Sequence, residues 1–306
     1  MIGSPKKLLF ITSNRLGDAV ISTGLLEHAI TRFKPTEVTI ACGPIPAPLF
    51  TAVPNLKRII ILDKKEGGLH WLKLWREVFP HIWDVVIDLR NSAVSYLIFS
   101  KKTFRFTQGV ETEHKSHQLA KVMGLLDNVP YNKIWLSEAA NQQAQTILHD
   151  GEPILALCPT ANWQSKTWPA ERFIDVAMRS PFQRIAIFGA EHEREQAMPI
   201  ITALQQKFDV IDLVGKTNPL EAAACLARCQ LCIANDSGLM HIAAAMGTPT
   251  LGLFGPSNDV EYSPHGPRTA FVRGAPFYGL EHTVNPFGLM QAISVDMVVK
   301  AVKRLI

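Results

Sequence analysis

The amino-acid sequence predicts an α/β protein made of two doubly wound units, each a parallel sheet with helical crossovers. Three observations carry that expectation. Short apolar runs alternate with amphipathic stretches throughout the chain, the pattern of strands joined by helices. The alternation pauses at a polar stretch near the middle and then resumes in the same style. The length, 306 residues, suits two domains that can each bury a core.

In the first half, residues 8–12 read as a strand, followed by a polar loop and a helix over 19–32. A second strand follows at 38–41, and the three prolines within 43–48 mark a turn. Residues 58–62, 85–89 and 104–107 supply further strands, with helices over 69–79 and 93–99. The second half repeats the style with strands at 154–158, 184–188, 210–213, 231–234 and 250–254. Its helices fall at 170–179, 193–208, 219–228 and 238–245, and a last one, 294–306, closes the chain and is free to pack back on the first domain. The polar stretch 141–153, ending in Asp150-Gly151, is where the chain divides, giving domains 1–150 and 151–306. No short repeat or low-complexity tract interrupts this. In two such units the default ligand site is a cleft at the carboxyl ends of the strands.

Composition narrows the class. The chain is 47% hydrophobic and 19% charged, with a net charge of +4. That is the profile of a globular enzyme, and its surplus charge is too small to argue for nucleic acid. No apolar run approaches the roughly 18 residues of a membrane span. The first residues lack the apolar region and cleavage site of a signal peptide. A cytoplasmic protein is expected, with peripheral contact at the inner membrane left open. The cysteines, Cys42, Cys158, Cys225, Cys229 and Cys232, are odd in number and argue against a disulfide framework. Cys225 and Cys229 would share a helix face, yet Cys232 falls in a strand-like run and no fourth ligand is near, so buried thiols are expected rather than a zinc site.

Three segments can carry chemistry. The run 234–241 contains Asn235-Asp236-Ser237-Gly238-Leu239-Met240-His241 between a strand and an apolar helix. A strand ending in a small polar turn that opens a helix leaves backbone N–H groups for an anion such as a diphosphate. Read alone, Asn235 or Asp236 serves equally as a helix cap, and His241 as an ordinary helix histidine. The run 159–169 places Lys166 between Trp163 and Trp168 after a strand. There a cation can hold phosphate while the rings shape a pocket, or the loop can simply be rigid with its lysine in solvent. The run 12–19 holds Asp18 where a helix begins, as an N-cap or as a general base. It matches neither a phosphate loop nor a dinucleotide fingerprint, having a single glycine, Gly17.

Together these segments resemble glycosyltransferase family 9, the inverting enzymes that include the lipopolysaccharide heptosyltransferases. The resemblance runs from Leu8 to the final helix. It is most specific at Gly17-Asp18, at Trp163-Gln164-Ser165-Lys166-Thr167-Trp168-Pro169, and at 235–241, with support from 243–250 and Leu253-Phe254-Gly255-Pro256. It implies the GT-B architecture: two Rossmann-like domains facing across a cleft, the first for acceptor and the second for nucleotide sugar. It implies Asp18 as catalytic base, Lys166 on the donor phosphate, and Asp236, Ser237, Gly238 and Leu239 at the diphosphate together with His241. One departure stands out. The family often carries Pro-Gly-Ala where this chain has Pro159-Thr160-Ala161. Thr160 lacks glycine's freedom, although its hydroxyl can donate to phosphate.

The expected reaction is a single inverting displacement. Asp18 takes a proton from an acceptor hydroxyl that attacks the anomeric carbon of a sugar nucleotide, ADP-heptose by resemblance. The chain has no Asp-x-Asp triplet, so no metal and no cofactor are expected, and neutralisation falls to Lys166 and the helix start. Arg15, Arg32, Lys34, Lys64, Lys65, Lys101, Lys102, Arg105, His114 and Lys115 make the first half locally basic. That suits an anionic glycan or glycolipid acceptor, with Arg15 as the first contact. Two rival readings share the fold: a sugar-nucleotide 2-epimerase and a non-catalytic sugar-nucleotide or glycan-binding protein. No residue distinguishes adenine from uracil or guanine; the base pocket is expected among 188–191 and 214–220.

Overall fold

Five strands of the first half pair side by side as a parallel sheet. They are β1 (Lys7–Ile11), β2 (Glu37–Cys42), β3 (Leu56–Ile61), β4 (Trp83–Asp88) and β5 (Ser100–Arg105), in the order β3-β2-β1-β4-β5. The central runs β1, β2 and β4 are apolar and buried on both faces, while the edge strands β3 and β5 are more polar and partly exposed. The helices of this part are α1 (Leu16–Ile21), α2 (Thr23–Phe33), α3 (Leu69–Val78) and α4 (Lys115–Lys121). This computed structural model describes residues 6–63, 68–107, 109–276 and 286–305, and its contacts separate two units, 1–137 and 138–306.

The helix expected over 19–32 is broken in two at Ser22. The Ser22 hydroxyl donates to Ala19 O (2.7 Å) and the Thr23 hydroxyl to Val20 O (2.7 Å), while Ser22 also meets Thr12 Oγ1 at 2.8 Å. Hydroxyls that bond back to the preceding turn bend helices, and here two stand in succession. The expected helix over 93–99 shrinks to a 3-10 turn, Ala93–Tyr96. Strand β5 begins four residues earlier than its apolar centre, at the polar run Ser100–Lys102, since an edge strand needs no second apolar neighbour.

The second unit holds α5 (Glu138–Ile147), β6 (Ile154–Cys158), α6 (Ala170–Arg179), β7 (Arg184–Ile187), α7 (Arg194–Leu204) and β8 (Asp209–Asp212). After them come α8 (Pro219–Leu226), β9 (Leu231–Asn235), α9 (Gly238–Ala245), β10 (Thr250–Phe254), α10 (Asp259–Tyr262), β11 (Thr269–Arg273), α11 (Pro286–Gln291) and α12 (Val295–Leu305). Its six parallel strands run β11-β10-β9-β6-β7-β8, the doubly wound order of dinucleotide-binding sheets. The polar stretch expected to divide the chain is in part helix α5, which buries Ala140 and Ala144 and packs on α8. The division therefore lies before this helix, at 137/138. Helix α12 lays Val298 and the flanking Val295 and Val302 into the second unit's core.

The order in which strands are added reverses in both sheets, between β1 and β4 in one and between β6 and β9 in the other. Such switch points open a crevice above the carboxyl ends of the strands. The second core gathers Trp168, Phe173, Ile185, Ile187, Ile233 and Leu253, none of them exposed to solvent. The five cysteines are buried free thiols. Cys158 and Cys232 face each other across β6 and β9 with their sulfurs 3.8 Å apart. Burial pushes the Cys42 thiol up to about 12, and burial, then Glu221, does the same for Cys225.

A thiolate reagent at neutral pH will leave the native thiols unlabelled and will label all five once the protein is unfolded, as read by mass spectrometry. Because the folded Cys42 and Cys225 thiols titrate above their ordinary 9.0, their contribution is complete below that value and is lost as pH rises towards about 12. Trp168→Ala removes a fully buried ring whose Nε1–H donates to Ile293 O at 2.9 Å, and will cost about 3–5 kcal/mol in denaturant unfolding.

Candidate functional site

The switch point of the second unit is built by two loops that share one clamp. Asn235, the last residue of β9, is wholly buried. Its Nδ2 donates to Pro159 O (2.7 Å) and its Oδ1 accepts from the Trp168 backbone N–H (3.1 Å). A single amide thus ties both ends of the 159–168 loop to the turn that opens α9. The ring of Trp168 is wholly buried in the core, which corrects the expectation that both tryptophan rings shape a pocket. Trp163 alone remains outside, half-exposed, with Lys166 Nζ 5.2 Å from its ring centre.

Lys166 does not point to solvent. Its ammonium donates to Asp236 Oδ2 at 2.6 Å, and the two side chains are 19% and 8% exposed. This joins the two segments that the sequence marked separately. The roles within 235–241 shift accordingly. The N-cap position of α9 falls on Ser237, with extended backbone and no side-chain bond to the helix, rather than on Asn235 or Asp236. The first N–H groups of α9 therefore have no side-chain cap. Ser237 Oγ is buried without a hydrogen-bond partner among the described residues. Asp236 contributes no free amide, because its N–H donates to Leu253 O at 3.2 Å; its carboxylate orients Lys166 instead. Gly238 and Leu239 start the helix, partly exposed, and His241 lies buried one turn on.

Thr160 is also buried, and its hydroxyl donates to Glu193 Oε2 at 2.6 Å. The same carboxylate oxygen accepts the Ala190 N–H at 3.2 Å. The Thr160 proton is thereby committed to Glu193, which differs from a hydroxyl offered to phosphate. Thr160 is not among the residues with positive φ, so the position does not call on glycine's freedom. The two segments expected to form a base pocket do lie side by side, with Gly215 N donating to Gly189 O at 2.9 Å. At Gly215 (φ 72°) a Cβ would strike the Glu191 carboxylate. Arg273, at the end of β11, pairs with Asp259 at 2.7 Å and donates to Gly255 O (2.8 Å) and to Ser257 O. Burial lowers its guanidinium from the usual range, against the pull of Asp259 and Asp236. Glu193 and Arg273 escaped the sequence reading, since isolated charges carry no motif.

In the first unit, Arg15 takes the N-cap position of α1, without a side-chain cap, and Asp18 follows in the first turn. Asp18 is thus not the cap. It is partly exposed, and Ser13 Oγ donates to its Oδ2 at 3.3 Å. The loop is pinned from two sides. Asn14 Nδ2 donates to Leu62 O (2.8 Å) and Arg90 Nη1 to Asn14 Oδ1 (3.3 Å), while a Cβ at Gly43 would meet Asn14 Cα at 2.6 Å. Buried Asp88, ending β4, accepts the N–H groups of Arg90 (2.9 Å) and Ser92 (2.7 Å), and so aims Arg90 at this loop. Arg15, exposed, precedes Asp18 by three residues at the start of α1, and Arg90 reaches the same loop through Asn14 at the switch point between β1 and β4; the sequence reading missed Arg90.

The basic residues of the first half do not make one face. Arg105, at the end of β5, lies over the Tyr96 ring at 3.8 Å on the Asp18 side of the sheet. Lys101, Lys102, Arg32 and Lys34 sit where strands begin, at the opposite edge. Lys64 and Lys65 lie outside the described residues. Among the described residues no helix is long and apolar enough to cross a membrane.

This arrangement has clear relatives. Residues 117–279 match the family model described as glycosyltransferase family 9 (heptosyltransferase). A lipooligosaccharide heptosyltransferase 2 of Campylobacter jejuni is 31% identical over 262 residues, covering 81% of each chain. A solved family 9 glycosyltransferase from Veillonella parvula superposes with a TM-score of 0.82 at 24% identity, covering 100% of this chain and 98% of its own. E. coli heptosyltransferase WaaC, solved with ADP, gives a TM-score of 0.74 at 15% identity, covering 98% of this chain and all of its own. With the family model spanning more than half the chain and the sites of both units at their switch points, this protein belongs to glycosyltransferase family 9, the heptosyltransferases.

Proposed function

We propose that the chain transfers heptose or a related sugar from an ADP-sugar to a lipopolysaccharide core-type acceptor, with inversion and without a metal ion. The observation that carries this reading is the 2.6 Å Lys166–Asp236 pair. It holds a cation beside the uncapped start of α9, where a diphosphate gains both the helix field and backbone donors. Lys166 has three N–H donors and spends one on Asp236, leaving two for phosphate oxygens. The ADP found with the similarly folded E. coli enzyme and the names of the relatives support the choice of donor and acceptor.

In this mechanism the Asp18 carboxylate accepts the proton of an acceptor hydroxyl as that oxygen bonds to the anomeric carbon. The bond from that carbon to the diphosphate oxygen breaks, and its electron pair leaves with ADP. Charge grows on the diphosphate in the transition state, so Lys166 and the N–H groups of Ser237, Gly238 and Leu239 act where stabilisation raises turnover. Asp236 is a positioning residue for Lys166. Arg15 and Arg90 offer guanidinium donors to carboxylates or phosphates of the acceptor. Asp18, in the first turn of α1 with one weak hydroxyl donor, is open to a substrate proton.

Calorimetric titration with ADP, UDP and GDP tests the donor assignment. ADP is expected to bind preferentially, and Lys166→Ala to weaken it about tenfold or more, as for a lost charged hydrogen bond. A preference for UDP or GDP would replace the donor, and no binding would overturn the reading. Asp18→Asn is expected to lower kcat by roughly 10²–10⁴ with ADP affinity unchanged; wild-type turnover in that variant would remove Asp18 as the base. Incubation with ADP-heptose should give product only when acceptor is added, with the anomeric configuration inverted by NMR.

A further inference from the structure

The edge of the first sheet where β1, β4 and β5 begin carries a second, unassigned surface. A cleft of about 190 Å³ opens there, lined by Lys6, Lys7, Phe33, Asp84, Lys101 and Lys102. Asp84 is already engaged: it accepts the Lys7 backbone N–H at 2.9 Å and the Lys101 ammonium at 2.7 Å. No carboxylate among the described residues forms an ion pair with Lys6 or Lys102. Lys102 instead lies over the rings of Phe33 and Phe104, at 5.7 and 5.1 Å, and Arg32 covers Phe33 as well, at 5.4 Å.

Beside this cationic cleft the same edge exposes large apolar side chains. Ile82, immediately before β4, is 67% exposed, and Phe99, immediately before β5, is 66% exposed. The two segments are joined by the Trp83 N–H donating to Phe99 O at 3.0 Å. Phe79, at the end of α3, extends the row, its ring centre 6.4 Å from that of Phe99. An isoleucine and two phenylalanines in water cost free energy unless something covers them. A row of apolar side chains flanked by lysines that outnumber the one carboxylate of their cleft is the composition of a surface that enters the headgroup region of an anionic membrane.

We propose that this edge docks on an anionic lipid bilayer, with Ile82, Phe99 and Phe79 entering the headgroup–acyl boundary and Lys6, Lys7 and Lys102 meeting lipid phosphates. A free phosphate would engage the lysines and leave the apolar row in water; a charged bilayer satisfies both. The surface lies at the opposite end of the strands from Asp18, so docking leaves the β1–β4 switch point open. The proposal needs no turnover and stands or falls apart from the transfer reaction.

Co-sedimentation with vesicles tests it. Wild-type protein is expected to pellet with phosphatidylcholine vesicles containing about 30% phosphatidylglycerol, and not with phosphatidylcholine alone, with binding that fades as salt rises. Lys6→Glu with Lys102→Glu is expected to weaken partitioning at least tenfold, and Ile82→Ser with Phe99→Ser to do the same. All four positions are exposed, so melting midpoints should match wild type and certify the fold. Failure of wild type to pellet, equal pelleting with neutral vesicles, or undiminished binding in either double variant would overturn the proposal. So would a concentration-dependent dimer dispersed by the Ile82/Phe99 variant, which would assign the apolar row to a second copy.

Discussion

The second unit depends on one buried amide. Asn235 stands where β9 ends, beside the point where the strand order reverses, and both polar ends of its side chain are used, on Pro159 O and on the Trp168 N–H. Each bond spans about a quarter of the chain and joins segments that the pairing of β6 with β9 brings together. In an interior of low dielectric, a satisfied amide is rigid and an unsatisfied one is costly. The loop bearing Lys166 is therefore held between a hydrogen-bonded end at Pro159 and a core-anchored end at Trp168. The lysine then finds Asp236, the residue after Asn235. Position, charge and the opening of α9 share one origin.

The first unit solves the same problem with different groups. Its switch point has no buried amide of this kind. Asp88 at the end of β4 accepts three donors from its own turn, the N–H groups of Arg90 and Ser92 and the Ser92 hydroxyl. That turn sends Arg90 to Asn14, and Gly43 leaves room for Asn14 to lie against the neighbouring strand end. Asp18 is thus placed by a loop fixed at both sides while its own carboxylate has, among the described residues, a single weak donor. A rigid frame around an under-bonded carboxylate is what a proton acceptor requires. Charge is likewise divided by the sheet: Arg15, Arg90 and Arg105 lie where strands end, and Arg32, Lys101 and Lys102 lie with exposed apolar residues where strands begin.

Much of this was legible in the residues themselves. Apolar runs such as Leu8–Ile11 and Leu155–Leu157 are strands in a parallel sheet because a run buried on both faces has few other homes. The segments around Asp18, Lys166 and Asp236 were marked because each follows such a run with small polar residues. Helix boundaries were less legible. The break at Ser22 comes from hydroxyls that bond back to the preceding turn, and α5 hides in a polar stretch because only two alanines of it, Ala140 and Ala144, reach the core.

What the sequence by itself determined was the α/β class, the doubly wound style, the family and the three segments that lie at the candidate sites. These rest on local patterns of burial and turn chemistry that neighbours along the chain already contain. Only the tertiary structure decided the partners. It committed Thr160 to Glu193, turned Trp168 into the core, withdrew the Asp236 amide and spent its carboxylate on Lys166. It also brought Arg90 beside Asn14 and split the basic residues between two edges. Each of these depends on a contact between residues far apart in sequence, where direction and distance are set by strand pairing and by no property of the residue alone.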